Sequence, residues 1–249
     1  MPTGRRLDIA VLPAEAAKMR ADCYVVIDAL RATTMIATLL HRGARAVTVA
    51  DSEDAARELA AASGALLAGE VGGLPPAGFD LGNSPVEASE MDLADREVVL
   101  FTTNGTRAIC ESAARGRTVA GAFTNGGAIV DACRDAPAVA FICAGNAGGE
   151  RFSIEDYAVA AHIATRLQGD DGGIEAGDPV LLALEPGASL ANATEIPRLM
   201  GSGSHAAHLR SIGLDADIAF AGQADVTPVV PAVVEWGQGW ARLERAQGG

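Results

Sequence analysis

Short apolar runs rich in Val, Ile and Ala alternate along the chain with longer stretches whose apolar residues recur at helical spacing. The runs predict strands over 7–12, 23–28, 46–50, 65–68, 97–102, 118–121, 138–143 and 179–184. The longer stretches predict helices over 33–42, 52–63, 105–115, 124–134, 153–167 and 204–212. Strand, loop, helix, strand is the order of a three-layer α/β/α sandwich, with a largely parallel or mixed sheet between two helical layers. Runs such as Val98-Val99-Leu100-Phe101 lack polar alternation, as expected of strands covered on both faces. No convincing linker divides the 249 residues, so one domain over 1–249 is expected. The Gly- and Pro-rich segment 69–85 is long for a simple connection, which hints at function.

In a parallel sheet the loops after the strand C-termini share one edge, and ligands collect there against helix N-termini. Four unusual polar segments fall in that position. The first runs from Asp28 through Arg31 to Thr33 and Thr34. Its Arg31 offers a planar fork of donors for a phosphate, sulfonate or carboxylate, and its threonines open a helix. The second is Gly69-Glu70-Val71-Gly72-Gly73. The third, Thr102-Thr103-Asn104-Gly105-Thr106-Arg107, combines hydroxyls, an amide and a glycine in the manner of a phosphate cradle. An ordinary Thr cap and an Asn-Gly turn would use the same residues. The fourth is the glycine-rich loop 144–153 with Arg151, followed by Ser153-Ile154-Glu155-Asp156, which reads as a capping box. Glu155 or Asp156 could still face the cleft and bind a metal. Asp28 and Glu70, with Asp80 in the same long loop as Glu70, would make an oxygen-rich site suited to Mg²⁺. Asp80 suits equally a brace for its own turn.

Composition narrows the chemistry. Lys+Arg is 19 against 32 Asp+Glu, a net charge of −13, so a nucleic-acid backbone is not an expected partner. Lys18 is the sole lysine and does not follow a glycine, which excludes a Walker A loop. No apolar run approaches the roughly 18 residues a membrane helix needs. Four scattered cysteines without a C-x-x-C pair read as reduced core thiols in a cytoplasmic protein. No G-x-G-x-x-G, G-x-S-x-G or cysteine-phosphatase spacing occurs. Asp215-Ala216-Asp217 imitates an acidic D-x-D pair, but no strand clearly precedes it. His205 and His208 share a helix face without an evident third zinc ligand. Trp236 and Trp240 read as packing or as a contact in a homo-oligomer.

The motifs IDALRATTMIAT (27–38), GEVGG (69–73), GFDLGNSP (78–85), TTNGTRA (102–108), CAGNAGGERFSIED (143–156) and ADVTPVVP (224–231) together resemble the 2-phosphosulfolactate phosphatase family. They span about four fifths of the chain, in order. The resemblance implies an α/β/α sandwich and Mg²⁺-dependent hydrolysis of a small anionic phosphoester. That substrate is (R)-2-phospho-3-sulfolactate, converted to 3-sulfolactate and phosphate on the way to coenzyme M. A same-fold phosphatase for another phosphorylated hydroxy acid and a non-catalytic anion-binding module are the alternatives. On this reading Asp28 and Glu70 serve Mg²⁺ or catalysis directly, with Asp156 as a further metal ligand. Arg31, Thr33, Thr34 and the cradle Thr102, Thr103, Asn104, Gly105 and Thr106 hold phosphate, and Arg31 assists catalysis. Arg151 holds the sulfonate or carboxylate. Either Asp28 attacks phosphorus or a water does. The position two residues after Asp28, where an acid would assist the first route, is Leu30, which favours water.

Overall fold

The structure, a computed structural model, describes residues 4–168, 174–185 and 193–246. Among them the strands are β1 (Arg6–Ala10), β2 (Cys23–Ile27), β3 (Ala46–Ala50), β4 (Leu66–Gly69), β5 (Glu97–Phe101), β6 (Thr118–Gly121), β7 (Ala138–Cys143), β8 (Glu175–Ala176), β9 (Pro231–Gly237) and β10 (Trp240–Arg245). The helices are α1 (Ala32–His41), α2 (Glu53–Ser63), α3 (Pro85–Ser89), α4 (Gly105–Ala113), α5 (Gly126–Cys133), α6 (Ile154–Gln168), α7 (Asp178–Leu184), α8 (Ile196–Met200), α9 (Ser204–Ser211) and α10 (Asp215–Ala221). One mixed sheet contains all ten strands in the order β4-β5-β3-β10-β9-β6-β2-β7-β1-β8.

Strand β2 shows how the layers form. Successive side chains of a strand point to opposite faces. Cys23, Val25 and Ile27 pack with Ile129, Phe141, Val159 and Ile163 beneath α5 and α6. Tyr24 and Val26 pack with Ile36, Leu40 and Ile109 beneath α1 and α4. The sheet is thus buried on both faces, and the expected α/β/α sandwich is observed. Burying each large apolar side chain contributes about 1.5–3 kcal/mol.

Besides the short elements β8, α3, α8 and α10, which the pattern does not predict, two features depart from the expected elements. Residues 179–184 form helix α7, not a strand. Pro179 sits in its first turn, and the buried residues Val180 and Ala183 are three apart while Leu181 and Leu182 are exposed. That spacing is helical and cannot alternate as a strand would. The C-terminal hairpin β9–β10 is not among the expected strands, yet it lies antiparallel inside the sheet, between β3 and β6. It joins the parallel set β4-β5-β3 to the parallel set β6-β2-β7-β1-β8. Trp236 is half exposed on this hairpin. All four cysteines are buried free thiols, and no described helix is long and apolar enough to cross a membrane.

Candidate active site

The loops after β2, β4, β5 and β7 converge at one end of the sheet. Those after β4, β5 and β7 wall a cavity of about 390 Å³ with Glu70 and Gly73, Thr103 and Asn104, Asn146 and Arg151, together with Ser204, His205 and His208 of α9. Asp28 lies beside it, almost fully buried. Its Oδ1 accepts from the Ala32 N–H at 3.2 Å, and a second bond comes from the Gly105 N–H. A Cβ at position 105 would stand 2.5 Å from Asp28 Oδ2, so only glycine lets the head of α4 come this close. Burial pushes the Asp28 carboxyl up to about 7, and Glu70 and Glu155 add to the rise against those two N–H groups.

Each further carboxylate is held by backbone. Glu70 accepts at Oε2 from the Gly73 N–H (2.8 Å) and at Oε1 from the Thr103 N–H (2.9 Å) and hydroxyl (3.0 Å). Asp156 joins two loops, accepting from the Ala29 N–H (2.8 Å) and the Gly145 N–H (3.0 Å). Burial raises its proton affinity, helped by Asp28 and Glu155. Glu155, also raised by burial, keeps its Oε2 buried without a hydrogen-bond partner. An ionised carboxylate offers about four acceptor positions, so Asp28 and Glu70 both retain capacity.

The other predicted residues divide into two groups. Thr103, Asn104 and Arg151 reach the cavity wall. Thr33, Thr34, Thr102 and Thr106 instead brace loops. The Thr33 hydroxyl accepts from the Asp28 N–H and donates to the Asp28 carbonyl. Thr34 donates to the Ala29 carbonyl at 2.8 Å. The Thr106 hydroxyl donates to the Thr102 carbonyl, and the Thr102 hydroxyl accepts from the Thr106 N–H. Arg31 is buried, with its fork occupied: Nη1 donates to Asp217 at 2.5 Å and Nη2 to the Gly73 carbonyl at 2.8 Å. Ser84 donates to the other Asp217 oxygen at 2.6 Å. Arg31 thereby ties α10 to the loops after β2 and β4. Asp80 ties the long loop to strand β4, rather than bracing its own turn, by accepting from the Leu67 N–H. Arg107 donates to the Gly148 carbonyl.

Asp217, Ser84 and His205 belong to this region without having been assigned to it from sequence. Asp217 carried a signal, the D-x-D pair, but its partner is 186 residues away. His205 carries one as well, the pair it makes with His208 one turn along the helix.

Residues 11–235 match the family model described as 2-phosphosulpholactate phosphatase. The chain belongs to this family. A relative from Thermotoga maritima, named "Probable 2-phosphosulfolactate phosphatase", is 35% identical over 92% of this chain and 95% of its own length. Relatives of the same name from Deinococcus radiodurans and Thermus thermophilus are 37% and 35% identical, over 86% and 92% of this chain and 88% and 94% of their own. Three of the motifs carrying the resemblance, 69–73, 102–108 and 143–156, line the cavity. Of the family's segments, 27–38 contains Asp28, 102–108 the head of α4, and 143–156 both Arg151 and Asp156.

The donor set can be tested against a divalent cation. Among the described residues, no three His, Cys, Asp or Glu side chains are gathered tightly enough to enclose a metal by themselves. Mg²⁺ does not require that, since it usually takes one or two carboxylates and fills its remaining positions with water and substrate phosphate. Asp28 and Glu70 repel each other across the site, and a buried Glu155 oxygen is unpaired beside them. Such a cluster suits a cation.

Proposed function

We propose that this protein is a Mg²⁺-dependent cytoplasmic phosphatase that converts (R)-2-phospho-3-sulfolactate to 3-sulfolactate and phosphate, on the route to coenzyme M. One observation carries the reading: Glu70, the head of α4 and Arg151 line a single cavity, and the Asp28 carboxyl is buried beside Glu70. The substrate has a phosphate, a carboxylate and a sulfonate on three carbons. Its phosphate would sit at the head of α4, where the helix dipole favours negative charge. Asn104 would orient it, and Arg151 would take the sulfonate or carboxylate. Asp28 and Glu70 would hold Mg²⁺, which when bound neutralises phosphoryl oxygens and assists departure of the ester oxygen. Thr33, Thr34, Thr102 and Thr106 hold the loops in place, so that the site is organised before substrate arrives. Buried, free cysteines suit a reducing compartment.

The test is phosphate release from a panel of phosphoesters, with Mg²⁺ and with excess chelator. Phosphosulfolactate should be preferred over neutral alkyl phosphates, and chelation should abolish turnover until Mg²⁺ is restored. Full activity in chelator would remove the metal from the reading. Equal kcat/KM for dianionic and neutral alkyl esters would remove the sulfolactate.

A further inference from the structure

Leu30, two residues beyond Asp28, is apolar and buried, so the chain itself supplies no proton-transfer group there. The fold supplies one from elsewhere. His205, in the first turn of α9, is hydrogen-bonded to the Leu30 backbone and stands on the cavity wall with Glu70, Thr103, Asn104 and Arg151. Several charged or titratable groups surround it. Arg31 approaches from the loop after β2 and Glu70 from the loop after β4. His208 lies one turn further along α9, ring centroid to centroid 6.3 Å. Arg151 shares the cavity wall, and Glu155 of α6 lies under the neighbouring Gly203, where a Cβ would come within 2.6 Å of its Oε2.

Burial pushes the His205 ring below its usual proton affinity. Arg31 and His208 add to this, while Glu70 and the Leu30 bond oppose it. The site therefore favours the neutral ring, with one N–H and one lone pair. Because the Leu30 bond favours the protonated ring, it is a donation to the carbonyl, which leaves the lone pair on the other nitrogen. His208 differs: it is exposed, with its Nε2 bonded to the Gly72 carbonyl at 3.0 Å.

We propose that His205 is the general base of the hydrolysis, taking the proton of the attacking water at the wall of the cavity. This rests on the phosphatase reading above. The water oxygen bonds to phosphorus as the bond from phosphorus to the ester oxygen breaks. The water's proton passes to the free ring nitrogen, the departing oxygen takes a proton from solvent, and the imidazolium returns its own to solvent. Ester and water become alcohol and phosphate, with no oxidation or reduction.

The experiment follows kcat and KM with phosphosulfolactate and Mg²⁺ between about pH 5 and 8, the range in which histidines titrate. In the native enzyme the acidic limb of kcat should combine protonation of the ring with that of Asp28, at about 7, and chiral phosphate should emerge inverted from a single displacement. His205→Ala should lower kcat at least about 100-fold with a smaller change in KM, and leave an acidic limb set by Asp28 alone. Free imidazole should restore rate in proportion to its unprotonated fraction. His208→Gln should keep the limb. If His205→Ala does not fold, His205→Asn, which retains a donor for Leu30, takes its place, and the native enzyme's stereochemistry remains decisive. Retention at phosphorus or a folded His205 variant with wild-type kcat would overturn the assignment. A native protein that releases phosphate from no ester would overturn the phosphatase reading and this role together. An active native enzyme indifferent to His205 would overturn this role alone.

Discussion

The Arg31–Asp217 pair is buried with both side chains 2% exposed, and each partner offsets the cost of taking the other out of water. Removing one partner leaves an uncompensated charge in the interior, which costs about 3–5 kcal/mol. Arg31→Ala is therefore expected to lower the denaturation midpoint by that order, and replacing Asp217 by Asn in the same chain to recover part of the loss. Chemical denaturation of the three proteins checks this. A single variant as stable as the native chain would show that the pair contributes little. From the local chain, Arg31 reads as a phosphate ligand whose loss would harm turnover more than folding. The structure reverses that order, because its fork already serves Asp217 and the Gly73 carbonyl. Asp28 keeps the position expected of it, at the end of a strand and against the head of a helix.

At the scale of elements, the C-terminal hairpin decides whether there is one sheet or two. Strands β3 and β6 do not pair with each other; β10 and β9 lie between them. Truncation before Pro231 would bare the inner edges of both parallel sets, with their unpaired N–H and C=O groups. The truncated chain is expected to lose its cooperative thermal transition and to aggregate, as read by circular dichroism and light scattering. A monomer with a native-like transition would mean that the two sets hold together through their helices alone. The hairpin is hard to see in the sequence because only Pro231, Ala241 and Leu243 of its strands are buried, so no sustained apolar run marks it. The antiparallel insertion also breaks the strand–helix–strand order by which the other strands were found. Helix α7 escaped for a different reason: its apolar run is too short for periodicity to separate helix from strand without knowing which residues are buried.

Across the whole molecule the site opposes stability. Asp28 holds a folded-state affinity near 7 against an ordinary 3.8, and Asp156 and Glu155 are raised in the same direction. Between those two values the folded chain keeps a proton that the unfolded chain has released, so each unit of rising pH costs folding free energy. The contribution is fully present below about pH 4 and lost as pH rises through about 7. Asp28→Asn abolishes this loss. Its thermal midpoint is expected to gain on the native protein from about pH 4 upward and to level off above about pH 7, while activity is lost. A constant difference across that range would mean that Asp28 titrates at its ordinary value. Glu97, held down by Arg242 and Arg45, works in the opposite sense and loses its contribution as pH falls, which is why the comparison is made between variants.

The sequence by itself determined the layered α/β fold, the seven strands from β1 to β7 and the four loops that meet at one end of the sheet. These depend on periodicity and on strand–helix alternation, which are local properties of the chain. It also singled out Asp28, Glu70, Thr103, Asn104 and Arg151, because polar residues after apolar strands are conspicuous without any knowledge of their neighbours. Only the tertiary structure decided which polar side chains are spent on each other. Arg31 found Asp217 across 186 residues of chain, and the hydroxyls of Thr33, Thr34, Thr102 and Thr106 turned back onto their own loops. His205 reached the Leu30 backbone from a helix that packs over the site. A hydrogen-bonding group has the same donors and acceptors wherever it lies, and what it binds is settled by which partners the packed layers bring within about 3 Å of it.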